Sequence, residues 1–190
     1  MTITVPPRDT RTDRVTYVSS LIKPGDVGGE IGSWEGSFAF YTLLQRQPSK
    51  LFLIDPWVGA ASDPDGGAQT DDAQNARNNI YANVCKIFSP YPHVVVMRLK
   101  SEDASRHFPD AFFDYVYVDG DHSYEGVMRD LGKFFPKVKV GGLIIGDDYG
   151  WGRVSDAVND FVSSQKKNLH WLGDPCAHGR EGQFAFRRTR

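Results

Sequence analysis

The chain is poor in cysteine: Cys85 and Cys176 are the two thiols among 190 residues. Two such distant cysteines form neither a disulfide framework nor a zinc-ligand spacing, so a stapled secreted scaffold and a zinc module are not expected. No run of 18 apolar residues occurs, and the start, MTITVPPRDTRTDR, lacks the apolar stretch of a signal peptide. A spanning helix and a secretory leader are therefore not expected, and the expected location is the reducing cytoplasm. Excess charge of either sign is also missing: 22 Lys and Arg stand against 24 Asp and Glu, a formal net charge of -2. That balance gives no global attraction to nucleic acid or anionic membrane, a local patch aside. The expected partners accordingly exclude both. The dinucleotide fingerprint G-x-G-x-x-G is absent from every frame, as is the Gly-Lys-Ser/Thr ending of a P-loop. A nicotinamide oxidoreductase is disfavoured on that ground.

What is present reads as a globular α/β chain. Hydrophobic residues make up 40%, with 12 Phe, 8 Tyr and 4 Trp, which argues against disorder. The length suits a single domain over 1–190, large enough to remove roughly 70% of its extended surface from water. Residues 1–12 read as a flexible arm, and 14–22 as a short helix stopped by Lys23-Pro24-Gly25. GDVGGEIG is a weak strand by propensity, followed by a helix in SWEGSFAFYTLLQRQ. Strands are expected at 50–55, 93–99, 112–121 and within GGLIIGDDYG. Helices are expected at 73–88, in SEDASRHF with Ser101 as candidate cap, in YEGVMRDLGKFFPKV, and at 154–167. NLHWLGD and GQFAFRR read as a terminal antiparallel hairpin. The stretch 58–72 is a long acidic, glycine-rich loop, a candidate lid. The short apolar strands alternate with amphipathic helices, which predicts an open, doubly wound Rossmann-like sheet with helices on both faces. Ligands of such sheets lie beyond the carboxyl ends of the strands, so the positions just after 31, 55, 99, 118 and 146 matter most.

Several residues there carry chemistry. In GGEIGSWEGS, the glycines at 28, 32 and 36 let backbone approach a ligand or simply pack tightly. Asp55 could accept both hydroxyls of a ribose, or cap the turn before Pro56. Trp57 could stack on a base or cover the sheet edge, and Ser101 with Glu102 could reach a base edge. The densest feature is acidic: Asp119 and Asp121 end one strand, and Asp147 and Asp148 end the next. Carboxylates crowded at one mouth repel unless something neutralises them, and a divalent cation with oxygen ligands (Mg²⁺, Mn²⁺ or Ca²⁺) does so economically. His122 is the ionisable group near neutrality at that mouth, a candidate base with Asp121 as its substitute. His93, His107, His170 and His178 read as packing or surface residues. DPDGG at 63–67 lacks the later ligands of an EF-hand loop and reads as a surface turn.

GGEIGSWEGS, LFLIDPW, DYVYVDGDHSYEGVMRDL and GGLIIGDDY together resemble the class I S-adenosylmethionine-dependent methyltransferases. The likeness covers about 25–165. It is greatest to the small metal-dependent branch related to macrolide-sugar and aminocoumarin-sugar O-methyltransferases, and more distant to catechol O-methyltransferase. The resemblance implies seven strands in the order 3-2-1-4-5-7-6. It implies that Glu30, Gly32, Ser33 and Trp34 hold the methionine moiety and that Asp55 binds the ribose. Trp57 would cover the adenine, and Ser101 and Glu102 would read its edge, with Asp119 also beside the cofactor. It implies Asp119, Asp147 and Asp148 as metal ligands and His122 as general base. Against the larger sugar enzymes this chain has little before its first strand. Its acceptor site is then open, built from 58–72 and 149–153, or completed by a second subunit of a homodimer.

The expected activity is therefore metal-dependent transfer of a methyl group to a hydroxyl of a sugar or of a polyhydroxylated or phenolic small molecule. S-adenosylmethionine would be the cofactor, S-adenosylhomocysteine (SAH) its product and Mg²⁺ the cation. The rivals are a metal-independent methyltransferase and a non-catalytic protein that keeps the cofactor fold.

Overall fold

A computed structural model describes residues 18, 20–59, 70–173 and 182–190. The 1–12 arm, most of the 58–72 loop with its 63–67 turn, and the connection holding Cys176 and His178 lie outside the described residues. Of the 14–22 helix, Val18, Ser20 and Leu21 are described and helical.

Seven strands form one sheet: β1 (Val27–Ile31), β2 (Lys50–Ile54), β3 (Val94–Met97), β4 (Phe113–Val118), β5 (Val138–Gly146), β6 (Leu169–Gly173) and β7 (Phe184–Arg188). Their order is β3-β2-β1-β4-β5-β7-β6, as the resemblance implies. β1 to β5 run parallel, and β7 is antiparallel to both β5 and β6. Besides the helical residues before β1 and two short 3-10 turns, five α-helices accompany the sheet among the described residues: α1 (Ser37–Arg46), α2 (Asp71–Phe88), α3 (Ser101–Ala104), α4 (Tyr124–Phe134) and α5 (Val154–Gln165).

β1 is the strand that propensity supports least, yet it occupies the centre between β2 and β4. Its glycines are the reason it fits. A Cβ at Gly28 would lie 2.1 Å from the Tyr115 ring, and one at Gly29 would lie 3.1 Å from the Phe113 ring. The bulk that β1 lacks is supplied by β4, so packing overrides propensity. Two apolar clusters cover the two faces. One gathers Phe108, Phe134, Val116 and Val118; the other gathers Leu53, Trp57, Tyr115 and Tyr117. Alternation along β4 assigns those residues to opposite faces. Phe113 breaks the alternation where the β4–β5 register shifts.

Several boundaries differ from expectation, α2 beginning at Asp71 and α5 ending at Gln165 among them. β5 starts at Val138, because Val138 pairs with Phe113 before the irregular turn of chain at Gly141, where φ is 85°. β3 stops at Met97, whose carbonyl turns back to accept the Leu99 N–H. What matters for function is level alignment: Ile31 lies beside Ile54 and Val118, and Val118 lies beside Gly146. The residues that follow, Gly32, Asp55, Asp119 and Asp147, therefore reach one edge of the sheet together.

Candidate active site

At that edge lies a cavity of about 900 Å³. Its first wall is the turn after β1. Gly32 has φ of 84°, and a Cβ there would stand 1.9 Å from the Asp119 carbonyl oxygen. Only glycine lets these two strand ends pass each other. The Gly32 N–H donates to the Ile54 carbonyl, and the Asp119 N–H to the Ile31 carbonyl. Ser33 is buried beside them.

Asp55 holds the second wall by accepting two backbone N–H bonds, from Trp34 at 2.9 Å and from Trp57 at 2.6 Å. Both tryptophans have left-handed φ, 42° and 48°, which bulky residues rarely adopt. The carboxylate keeps these two unfavourable turns in place. Turn capping and cavity lining thus coincide in Asp55, which also faces the cavity. A carboxylate has about four acceptor positions, so two N–H bonds leave it compatible with ribose hydroxyls.

Of the two tryptophans expected beside the cofactor, one reaches the cavity and the other does not. Trp57 is fully buried against Tyr81, its indole N–H donating to the Trp34 carbonyl, and it is absent from the cavity wall. Trp34 is half exposed and lines the cavity. Glu30 does not line it. Its buried carboxyl leaves Oε2 without a hydrogen-bond partner among the described residues. Burial first, then the charges of Asp119 and Asp55, push its pKa well above the ordinary carboxylate value.

Ser101 does not cap its helix. Lys100 holds the cap position of α3, and the Ser101 hydroxyl donates instead to Oδ1 of Asp130 on α4. Asp130 is 2% exposed. Burial raises its pKa to about 6, against the opposing hydrogen bond from Ser101 and the nearby charge of Arg129. Arg129 lies 3.2 Å from Glu102, 3.5 Å from Asp130 and 3.6 Å from Asp121. Asp121 also accepts the Ser123 N–H, which fixes it to the start of α4. Arg129 and Asp130 are cavity residues that the sequence reading passed over. The available signal was spacing: Asp130 falls three residues after Val127 and four before Phe134, on the buried stripe of α4.

A stability experiment follows from Asp130. A carboxyl whose native pKa is raised gives stability that is present below its unfolded value and lost as pH rises through about 6. Asp130→Asn lacks that dependence. Between pH 4.5 and 7.5 the wild type should lose about 2 kcal/mol relative to the variant in urea unfolding. A constant difference across that range would show that Asp130 is not titrating in the fold.

The third wall is the acidic mouth. Nε2 of His122 lies 3.5 Å from Oδ1 of Asp119 and 3.2 Å from Oδ2 of Asp148. One ligand atom from each of these three residues falls within 4.8 Å of the others. Asp147 is turned elsewhere: one oxygen accepts the Tyr117 hydroxyl at 3.0 Å, the other the Asp148 N–H at 2.8 Å. Among the described residues the cluster thus contains His122 where Asp147 was expected. Asp148 has a left-handed φ of 55°, local strain of the kind that collects at functional sites. Burial disfavours charge on His122, but the hydrogen bonds and charges of Asp119 and Asp148 outweigh it and raise its pKa to about 10. The imidazolium is the countercharge of the two carboxylates. The indole of Trp151, which also lines the cavity, stands 4.9 Å from the imidazole, ring centre to ring centre.

The carboxylate oxygens of Asp119 and Asp148 at this separation fit a divalent cation of the kind that prefers oxygen donors, Mg²⁺ or Mn²⁺.

A family profile described as a methyltransferase domain matches residues 30–149. The uncharacterized protein R132 of Acanthamoeba polyphaga mimivirus is 26% identical over 141 residues, a match covering 70% of this chain and 58% of that protein. The chain thus spans little more than half the length of that curated relative. Among solved structures, an rRNA methylase from Streptococcus thermophilus superposes with a TM-score of 0.65 at 8% identity, covering 97% of this chain and 99% of that one. SMU.1697c of Streptococcus mutans, in complex with SAH, gives 0.64 at 9% identity, covering 95% and 98%. At such identities the likeness shows the fold. It nevertheless corrects the expected partners. Chains with this fold include rRNA and tRNA methyltransferases and a ribosomal protein L11 methylase, so the exclusion of nucleic acid does not stand. The physical error was to read a local property from a global one, since a net charge of -2 says nothing about the surface around one cavity. On membranes, no helix among the described residues is long and apolar enough to cross one.

Proposed function

The chain belongs to the methyltransferase-domain family, with the fold of the class I S-adenosylmethionine-dependent enzymes, and from that premise we propose that it is a metal-dependent O-methyltransferase. S-adenosylmethionine is the donor substrate, and a hydroxyl of a sugar or phenolic group is the acceptor. The observation that carries the reading is the convergence of Asp119, His122 and Asp148 at the mouth of a cavity whose inner walls are Gly32 and Asp55. The resemblance of VDGDHSYE and GGLIIGDDY to the metal-dependent branch supports the same assignment.

Asp55 receives the ribose hydroxyls, and the turn through Gly32, Ser33 and Trp34 holds the methionine end. Ser101 faces the purine at the β3 side. Asp119 and Asp148 would hold the cation, which when bound would offset the two carboxylates and lower the pKa of an acceptor hydroxyl. His122 receives the acceptor proton at Nε2. That role requires its own proton to have left: without a cation Asp119 and Asp148 hold its pKa near 10 and keep the proton on, and a cation between them would weaken that hold. Trp151 packs along the imidazole and restricts where it can point. The acceptor oxygen forms the new C–O bond as the C–S bond of the sulfonium breaks, and SAH is left. Alignment and charge compensation are what the protein contributes.

The test is titration with SAH. Wild-type protein should bind it, and Asp55→Asn should bind at least about tenfold more weakly, since a hydrogen bond to a charged group contributes roughly 1.5–3 kcal/mol. Asn is preferred to Ala because it retains an acceptor for the strained Trp34–Trp57 turns. Equal affinity in the two proteins would remove Asp55 from the binding site.

A further inference from the structure

The buried pair Ser101–Asp130 does more than fill the β3 end of the cavity. A serine hydroxyl has one proton to donate and two lone pairs to accept with. Here the proton is given to Oδ1 of Asp130. An ionised carboxylate accepts only, so the Ser101 hydroxyl cannot be turned round while Asp130 is charged. The pair is fixed in position as well as in direction. Asp130 is almost wholly buried, and a Cβ on Gly120 would already stand 3.1 Å from its Oδ2. Ser101 is itself 7% exposed and lines the cavity beside Asp130. The structure thus keeps a carboxylate where burial opposes its charge, with Arg129 3.5 Å away. Helix packing alone would be served as well by an apolar side chain.

We propose that Asp130 is the specificity-setting positioning residue for the donor's base: by taking the Ser101 proton it presents Ser101 Oγ to the cavity as an acceptor only, which selects an exocyclic amino group and rejects an oxo group. The inference rests on the donor assignment made above, with the base at Ser101. The amino group of adenine donates a hydrogen bond to such an oxygen. The oxo group of hypoxanthine at the same position is an acceptor and meets lone pair with lone pair. Asp130 touches no ligand in this scheme; it acts through Ser101.

The test compares SAH with S-inosylhomocysteine on each protein by calorimetry, so that any unfolded fraction cancels in the ratio of affinities. The wild type should prefer SAH at least about tenfold, one well-made hydrogen bond and one avoided repulsion. Asp130→Asn can donate to Ser101 Oγ and so frees the hydroxyl to point either way; the preference should fall to about threefold or less. Ser101→Ala should lose it as well, and adding Asp130→Asn to Ser101→Ala should change the ratio no further. A purely structural Asp130 would lower both affinities together and leave the ratio intact, and that result would overturn the proposal. So would a further change of ratio in the double variant. Failure of the wild type to bind SAH at all would overturn the donor assignment itself, and the proposal with it.

Discussion

His122→Ala should lower methyl transfer by roughly 10²–10⁴-fold, the usual contribution of a positioned base, while SAH binding stays near wild type. The expectation follows from where the imidazole stands. It is within 3.5 Å of both mouth carboxylates and flanked by Trp151, whereas the residues assigned to the donor's ribose and methionine end come from the turns that follow β1 and β2. Losing the imidazole removes the proton acceptor without touching Asp55 or Gly32. The residual rate should climb with pH, because the acceptor hydroxyl then ionises without help. Steady-state kinetics across pH, beside a Mg²⁺ titration, checks both halves. Loss of Mg²⁺ affinity in the variant would make His122 a ligand, which the 4.8 Å cluster also permits. Unchanged turnover would pass the base role to Asp121, which shares the turn.

Gly32→Ala should cost about 2–5 kcal/mol of stability and abolish SAH binding. Two terms add. A residue with a Cβ at left-handed φ costs roughly 1–2 kcal/mol, and overpacking adds typically 1–3 kcal/mol. The contact at Gly32 is with the Asp119 carbonyl, so relief requires moving the backbone of β1 or β4 rather than one side chain. Gly25 supplies the control. It has the same φ of 84° but nothing within 4 Å of a Cβ, so Gly25→Ala should show the strain alone. For a chain of this size each kcal/mol moves Tm by about 2–4 °C, and the two variants should separate clearly in a thermal melt. Similar melting of the two would mean that β1 and β4 can part at their ends without cost.

These two results depend on features that the sequence displayed unequally. The sheet was legible because β2, β3, β4 and β5 are apolar runs punctuated by amphipathic helices, and because acidic residues end β4 and β5 in the same relative place. β1 was legible as a turn but hardly as a strand, since its fitness lies in the aromatic rings of β4 that cover its glycines. Side-chain direction was what the sequence hid. Asp147 and Asp148 are neighbours in a strand end, and nothing in the pair reveals which of them faces Tyr117 and which faces His122. Trp34 and Trp57 likewise both give their backbone N–H to Asp55, and nothing in the sequence reveals that Trp57 is the one buried against Tyr81. The charge state of His122 was hidden for a related reason. A raised pKa needs two carboxylates from different strands within hydrogen-bonding range, and that is a property of register. Asp130 was passed over because a carboxylate beside apolar positions on a helix is usually assigned to solvent, whereas here the helix buries it against Ser101.

The most direct measurement is a calorimetric titration of the SAH-saturated protein with Mg²⁺. Asp119 and Asp148 offer the charge for one cation beside the bound donor product. The wild type should therefore take up about one equivalent of SAH and then one of Mg²⁺, and Asp148→Asn should keep the first and lose most of the second. A wild type that binds no SAH, or an Asp148→Asn protein that takes up Mg²⁺ as well as the wild type does, would contradict the account.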